Sequence, residues 1–207
     1  MAHRTQAYLI VEVRHDAVGP ELLAKAVRRS QASCVLLQPT AGDADGQAVL
    51  APLVRAIQAA ECAALIANDA SVALALGADG VHLAHQDDPG LAEQQYRAAR
   101  ALLGAGRIVG AACGLARHNA MVLAELGADY VALGGAPDHD PADQLDMVAW
   151  WAEVFSTPCV AWSVAASAQI GPLQAAGADF IAASPASGLE TAVAVLSTLS
   201  QTHEAIP

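Results

Sequence analysis

A Gly-Ala-Asp triplet repeated at fifty-residue intervals, eight short apolar runs alternating with helical patterns, and a core rich in small aliphatic residues predict a single-domain α/β chain of the (β/α)8, TIM-barrel class. The triplet stands at Gly77-Ala78-Asp79, Gly127-Ala128-Asp129 and Gly177-Ala178-Asp179, each time after a helical pattern and before an apolar run. Fifty residues exceed one strand plus one helix, which take about 25 to 30, but fit two such units. Each triplet then reads as the turn in which a helix ends on a left-handed glycine and the next strand begins. That role accounts for the three aspartates without chemistry, and puts them on the face opposite any active site.

The apolar runs at 7–12, 34–38, 63–67, 80–84, 108–112, 130–134, 159–163 and 180–184 are the expected strands. They are near-continuous in Val, Ile, Leu and Ala, as strands covered on both faces must be. Helical patterns lie near 19–31, 47–61, 70–76, 91–103, 117–126, 143–155, 167–176 and 189–200. Pro89 introduces the fourth and Ser187-Gly188 the last. An open doubly wound sheet would give the same local signals, and the repeat decides for the closed barrel. One domain over 1–207 is expected, with no linker. The densest loops are 39–46 and 135–143, after the second and sixth strands.

Hydrophobic residues make up 55% of the 207, so the core is ample, yet no apolar stretch reaches the length of a membrane span. The start runs into a strand without a signal-like block, which makes a cytoplasmic protein the expectation. Ten Lys and Arg against 21 Asp and Glu leave a net charge of −11, which repels nucleic acid and anionic membrane alike. Cys34, Cys62, Cys113 and Cys159 are too widely spaced for a zinc knuckle or a disulfide framework, and read as small buried hydrophobes.

Barrel chemistry sits at the carboxyl ends of the strands. There the sequence places Glu12 and Arg14, Gln38 with Thr40 and Asp43, Asn68 and Asp69, His85 to Asp88, Cys113, Asp138-His139-Asp140, Ser163 and Ser184. So many carboxylates suit a hard, hydrated cation such as Mg²⁺ that bridges to a substrate phosphate. The competing reading of each Asp is a helix cap or turn residue, and that of His82, alone in an apolar strand, a hydrogen-bonded core residue.

The stretch ALIANDASVALALGADGVHLAHQDDPG, residues 64–90, resembles the family of thiamine-phosphate synthases and their thiazole-tautomerase relatives. Its members carry Asn-Asp after strand three and GADGVHLGQxD at strand four. The likeness continues through IVGAACG, LGADYVALGG and AAGADFIAAS. It implies a barrel that joins a pyrimidine pyrophosphate to a thiazole phosphate, using Mg²⁺ and releasing pyrophosphate. By resemblance Asp69 and Asp87 would be the metal carboxylates, and Asn68, His82 and Gln38 would line the substrate pocket. Cys113, Gly134 and Ser163, at the ends of strands five to seven, complete the expected substrate contacts. The implied ligand is a small pyrimidine- or thiazole-type molecule. A homodimer stays open, and no catalytic residue is assigned.

The chain departs from the family at its phosphate contacts. Gln38 is followed by Pro39-Thr40-Ala41-Gly42 where the family has Arg-Glu-Lys, and the loop after strand six reads Gly135-Ala136-Pro137-Asp138-His139-Asp140 where the family has Thr and Lys. Strand seven ends Trp162-Ser163-Val164 in place of paired glycines, with the Val164 side chain expected in the phosphate space. At strand five the family Ser aligns with Ala112 and the tautomerase His with Gly114, so that role is not carried over. His118 is expected as a surface or packing residue of the helix, and Cys113, the nearest candidate replacement for that His, has no adjacent His or Lys and reads as an unactivated thiol. The only lysine is Lys25, in the first helix, which leaves Arg14 and Arg117 to compensate. The expectation is a divergent family member with weak or absent synthase activity. The alternatives are a non-catalytic binding or regulatory barrel, and a repurposed metal-dependent enzyme built on Asp69, Asp87, His139 and Asp140.

Overall fold

The structure, a computed structural model, describes residues 4–14, 18–39, 46–135, 139–183, 186 and 188–201. Eight parallel strands close into a barrel in chain order: β1 (Gln6–Val13), β2 (Ala32–Pro39), β3 (Ala63–Ala67), β4 (Gly80–Leu83), β5 (Ile108–Gly114), β6 (Tyr130–Leu133), β7 (Cys159–Val164) and β8 (Phe180–Ala183). β8 pairs back onto β1 from Gln6↔Phe180 to Leu9↔Ala183, so the sheet has no open edge. The helices α1 (Pro20–Ser30), α2 (Gly46–Gln58), α3 (Ala70–Leu76), α4 (Pro89–Leu103), α5 (Arg117–Glu125), α6 (Pro141–Val154), α7 (Ile170–Ala175) and α8 (Leu189–Gln201) alternate with the strands. A short 3₁₀ turn, Ser167–Gln169, leads into α7. No helix among the described residues is long and apolar enough to cross a membrane.

Two concentric cores follow from strand alternation. Leu9, Val11, Val35, Leu37, Ile66, Val109 and Val131 point outward and pack with the inner faces of the helices. Tyr8, Ile10, Cys34, Leu36, Leu65, Tyr130, Ala132, Val160 and Ala182 fill the barrel. Although aromatic residues are few, Tyr8, Tyr130, Trp162 and Phe180 all belong to this interior, where their bulk closes the lumen. All four cysteines are buried and free.

The repeated triplet forms the same joint three times. Gly77, Gly127 and Gly177 take φ of 65°, 94° and 95°, a region that a side chain would strain. The next N–H groups, of Ala78, Ala128 and Ala178, return to the carbonyls of Ala73, Leu123 and Leu173 at 2.9, 3.0 and 3.1 Å, closing each helix with a Schellman pattern. The aspartate then ties the end of its own strand to the strand before it. The N–H groups of Ala64, Val109 and Cys159 donate to the Asp79, Asp129 and Asp179 carboxylates at 2.8, 2.7 and 2.8 Å. These carboxylates sit at the amino ends of the strands, on the face opposite the site below, and are structural. Removing one leaves a strand N–H without its charged acceptor, so Asp79→Ala, Asp129→Ala and Asp179→Ala are each expected to cost about 1–3 kcal/mol. Denaturant unfolding measures this, and a change below about 0.3 kcal/mol in all three would refute the joint's role.

Candidate functional site

At the carboxyl ends of the strands a cavity of about 620 Å³ opens between β2 and β7, lined by Gln38, Asn68, His82, His85, Asp87, Gly134, His139 and Trp162, with backbone from the end of β5. Alternation sends Gln38 and His82 inward, as it does the interior residues two positions below each of them. Asn68 follows β3 with φ of 61°, a left-handed conformation that Asn tolerates better than most. In that pose its N–H donates to the His82 carbonyl at 2.9 Å and its Oδ1 accepts from the Ala84 N–H at 2.7 Å. Asn68 thereby clamps the end of β4, leaving its side-chain NH₂ at the cavity.

His82 is 3% exposed. Its Nδ1 lies 2.8 Å from the Tyr130 hydroxyl, and Trp162 lies parallel over the ring with centroids 4.2 Å apart and planes 6° apart. Burial pulls its pKa down to about 3, so the imidazole is neutral at ordinary pH. Space for Tyr130 comes from Gly110, where a Cβ would sit 2.0 Å from the phenol ring. Gly134 and Gly135 both have positive φ, and a Cβ on Gly135 would meet Trp162 at 2.4 Å. The indole therefore reaches the mouth because the backbone opposite it is bare.

Residues 7–186 match the family model described as thiamine monophosphate synthase. The chain belongs to that family. It is 39% identical over 193 residues to the thiamine-phosphate synthase of Erythrobacter litoralis, covering 88% of this chain and 87% of that one. It is 37% identical over 185 residues to the thiamine-phosphate synthase of Rhodospirillum centenum, covering 84% and 85%. Among solved structures, the thiamine phosphate pyrophosphorylase from Pyrococcus furiosus superposes with a TM-score of 0.75 at 20% identity, covering 97% of this chain and 98% of that chain, which speaks for the fold.

Within this thiamine monophosphate synthase family barrel, the two expected metal carboxylates face different recesses. Asp87 lines the main cavity and is fully exposed, its Oδ1 lying 3.3 Å from His85 Nε2. Asp69 lines the adjoining groove against α4, which shares Asn68 and Ala84 with the cavity. It also caps α3: its Oδ1 accepts from the Ser71 and Val72 N–H groups and the Ser71 hydroxyl. The Ser71 hydroxyl first, then those N–H groups, hold its pKa below the usual carboxylate range. Its Oδ2 and the Asp87 carboxylate are hard oxygen donors of the kind a hydrated Mg²⁺ takes one or two at a time. Among the described residues no three His, Cys, Asp or Glu side chains gather as a metal cluster. Asp140 caps α6 through the Ala142 N–H at 2.9 Å, and His139 lines the cavity with its Nδ1 enclosed and unpartnered among the described residues.

Several expectations need correction. Cys113 does not line the cavity: it shares the outward phase of Val109 and Ala111 on β5, at the bulge between Ala112 and Gly114, and is fully buried in the outer core. Burial also pushes its thiol up to about 12, in keeping with an unactivated thiol. Val164 does not line the cavity. Ser163, at φ of 60°, lies at an irregularity between Ala161 and Val164, and Val164 returns to the outer core while Trp162 stays at the mouth. Ser163 itself is not among the residues lining the cavity. Nor do the two arginines face it. Arg14 pairs with Glu12 at 3.2 Å beside a separate recess, and Arg117 lies over the Trp150 ring at 4.5 Å. Thr40, Asp43, Asp138 and Ser184 fall outside the described residues.

Four site residues escaped the sequence reading. Tyr8 and Tyr130 support His82 from below, and the signal was their inward phase, the same as that of His82. Gln144 on α6 is buried and donates to the Leu133 and Trp162 carbonyls, both at 2.8 Å, joining the ends of β6 and β7. Asn119 on α5 is buried and donates to the Gln86 carbonyl at 3.0 Å, anchoring the loop that carries His85 and Asp87. A Gln or Asn inside an apolar helical stripe was the available cue.

Proposed function

We propose that the cavity binds a small pyrimidine- or thiazole-type molecule. By descent the protein serves the Mg²⁺-dependent condensation of hydroxymethylpyrimidine pyrophosphate with thiazole phosphate, at a rate that is weak or nil. One observation supports the attenuated reading above all: no Lys or Arg is among the described residues lining the cavity. Its walls carry three imidazoles, that of His82 kept neutral by burial, with an indole, two carboxamides and a carboxylate, and this set without a permanent cation suits an uncharged flat ring better than a polyanion. Gln38 and Asn68 would orient the ring's polar edge, His82 would offer it one hydrogen bond, and Trp162 would exclude water. Mg²⁺, held by Asp69 and Asp87, would supply positive charge for a pyrophosphate. The setting we infer is cytoplasmic, with neither nucleic acid nor membrane as partner.

The same lining supports a second reading, a non-catalytic binding or regulatory barrel. A repurposed metal enzyme has less behind it, since Asp140 is engaged as a helix cap and no three-residue cluster forms among the described residues. A thermal-shift panel separates them. Unphosphorylated hydroxymethylpyrimidine and thiazole alcohol should raise Tm without Mg²⁺, because a ligand at about 100 times its Kd adds about 2.7 kcal/mol to the native state. Their phosphorylated forms should act only with Mg²⁺. No shift from any of them would remove the cavity reading. Calorimetric titration with Mn²⁺ should show affinity falling at least about tenfold in Asp69→Ala and Asp87→Ala, a loss of about 1.4 kcal/mol. Unchanged affinity in both would take these carboxylates out of the metal site.

A further inference from the structure

Below the cavity a file of hydrogen bonds enters the barrel. His82 Nδ1 is 2.8 Å from the Tyr130 hydroxyl, and that hydroxyl is 2.9 Å from the Tyr8 hydroxyl. The Cys34 thiol adjoins Tyr8 at the far end. All four side chains are buried, and burial raises both phenol pKa values, so each hydroxyl keeps its one proton. With no buried O–H left without an acceptor, the file can then run in only two directions. In the first, Tyr8 donates to Tyr130, and Tyr130 donates to the Nδ1 lone pair of His82. In the second, Nδ1–H donates to Tyr130, Tyr130 to Tyr8, and Tyr8 is left pointing its O–H at a sulfur.

The first direction pairs strong donors with strong acceptors. It sets the phenol O–H on an imidazole nitrogen, and asks of the thiol only what a weak donor can give. The second makes a phenol oxygen accept from the imidazole and ends on a weak acceptor. In a dry interior such mismatches are not offset by water. The first direction puts the ring hydrogen of neutral His82 on Nε2, the nitrogen left for the cavity that His82 lines. Trp162, stacked parallel on the ring, holds the plane in which that N–H points.

We propose that Tyr130, backed by Tyr8, is a positioning residue that fixes His82 as an Nε2–H donor, so that the cavity selects heteroaromatic ligands turning an acceptor atom, a ring nitrogen or carbonyl oxygen, to that edge. This rests on the reading of the cavity as a small-molecule site. Two probes bracket it: 4-methylthiazole, whose ring nitrogen only accepts, and aniline, whose amine chiefly donates. Imidazole ¹⁵N spectra of the full-length protein, with the His82 signals assigned through His82→Gln, should show hydrogen on Nε2 with and without 4-methylthiazole. That probe should bind about tenfold more tightly than aniline, the factor for about 1.4 kcal/mol. Tyr130→Phe should bring the two affinities to within about threefold and mix the tautomers, because Nδ1 loses its donor. Tyr8→Phe should keep the Nε2–H tautomer, since Tyr130 still donates, which separates positioning from loss of packing. Hydrogen on Nδ1 in the parent protein would overturn the proposal, and that spectrum needs no variant to fold. An affinity ratio unmoved by Tyr130→Phe would also overturn it. So would His82 signals that respond to neither probe, whereas the Tm panel with thiamine precursors independently judges the cavity reading.

Discussion

Supplied with hydroxymethylpyrimidine pyrophosphate, thiazole phosphate and Mg²⁺, this protein is expected to turn over at least about a thousandfold more slowly than a relative whose phosphate loops carry Arg and Lys. A charge-assisted contact to phosphate contributes roughly 1.5–3 kcal/mol, so two or three missing ones amount to several kcal/mol of transition-state binding. The nearest candidates for compensation are engaged elsewhere, Arg14 with Glu12 and Arg117 with Trp150. The one permanently charged side chain among the described lining residues is Asp87, whose charge opposes a pyrophosphate unless a cation stands between them. Steady-state assay of purified protein measures the effect, alongside growth of a synthase-deficient strain without thiamine. A turnover number of about 1 s⁻¹ or more, or full rescue of growth, would defeat the attenuated-site argument.

The second large effect concerns acid stability. His82 is neutral when buried, with its pKa lowered to about 3, whereas an exposed imidazole in the unfolded chain titrates near about 6.5. Between those values the unfolded state binds a proton that the native state refuses. Stability from this group is therefore complete above pH of about 6.5 and is lost as pH falls toward about 3. At about 1.4 kcal/mol per pH unit the total approaches about 5 kcal/mol, a large part of a typical domain's margin. Asp69 acts lower: its depressed pKa preserves stability above the ordinary carboxylate range and loses it only as pH drops through its own folded value. Urea midpoints from pH 7 to 4.5 should thus fall steeply in the parent protein and more gently in His82→Gln. Equal slopes would show that His82 is not the group being protonated.

The barrel was legible because its signals are local and repeated. The glycine of each triplet needs a left-handed turn, the apolar runs have strand length, and the proline at the start of α4 stands where helices begin. Even the inward phase of Gln38 and His82 follows from alternation along a regular strand. Alternation along β5 sends Cys113 outward, in step with Val109 and Ala111, whereas Val164 departs from it at the irregularity in β7, because an extra residue reverses which face the following side chain meets. Trp162 stands where the family has a glycine pair, yet its place comes from bare backbone at Gly135, in the loop after β6.

By itself, then, the sequence determined the order of strands and helices, the closure of the barrel implied by its repeat, the structural place of Asp79, Asp129 and Asp179, and membership of the thiamine monophosphate synthase family through residues 64–90. Each of these depends on neighbours in the chain or on a pattern recurring along it. Only the tertiary structure decided that Asp69 caps α3 in a groove adjoining the cavity that Asp87 lines, that Arg14 and Arg117 are engaged away from the cavity, and that His82 rests on Tyr130 and Tyr8. Those pairings join positions far apart in sequence, such as the 122 residues between Tyr8 and Tyr130, and the chemistry of a side chain says what it can bond but not which distant partner closure of the barrel will bring to it.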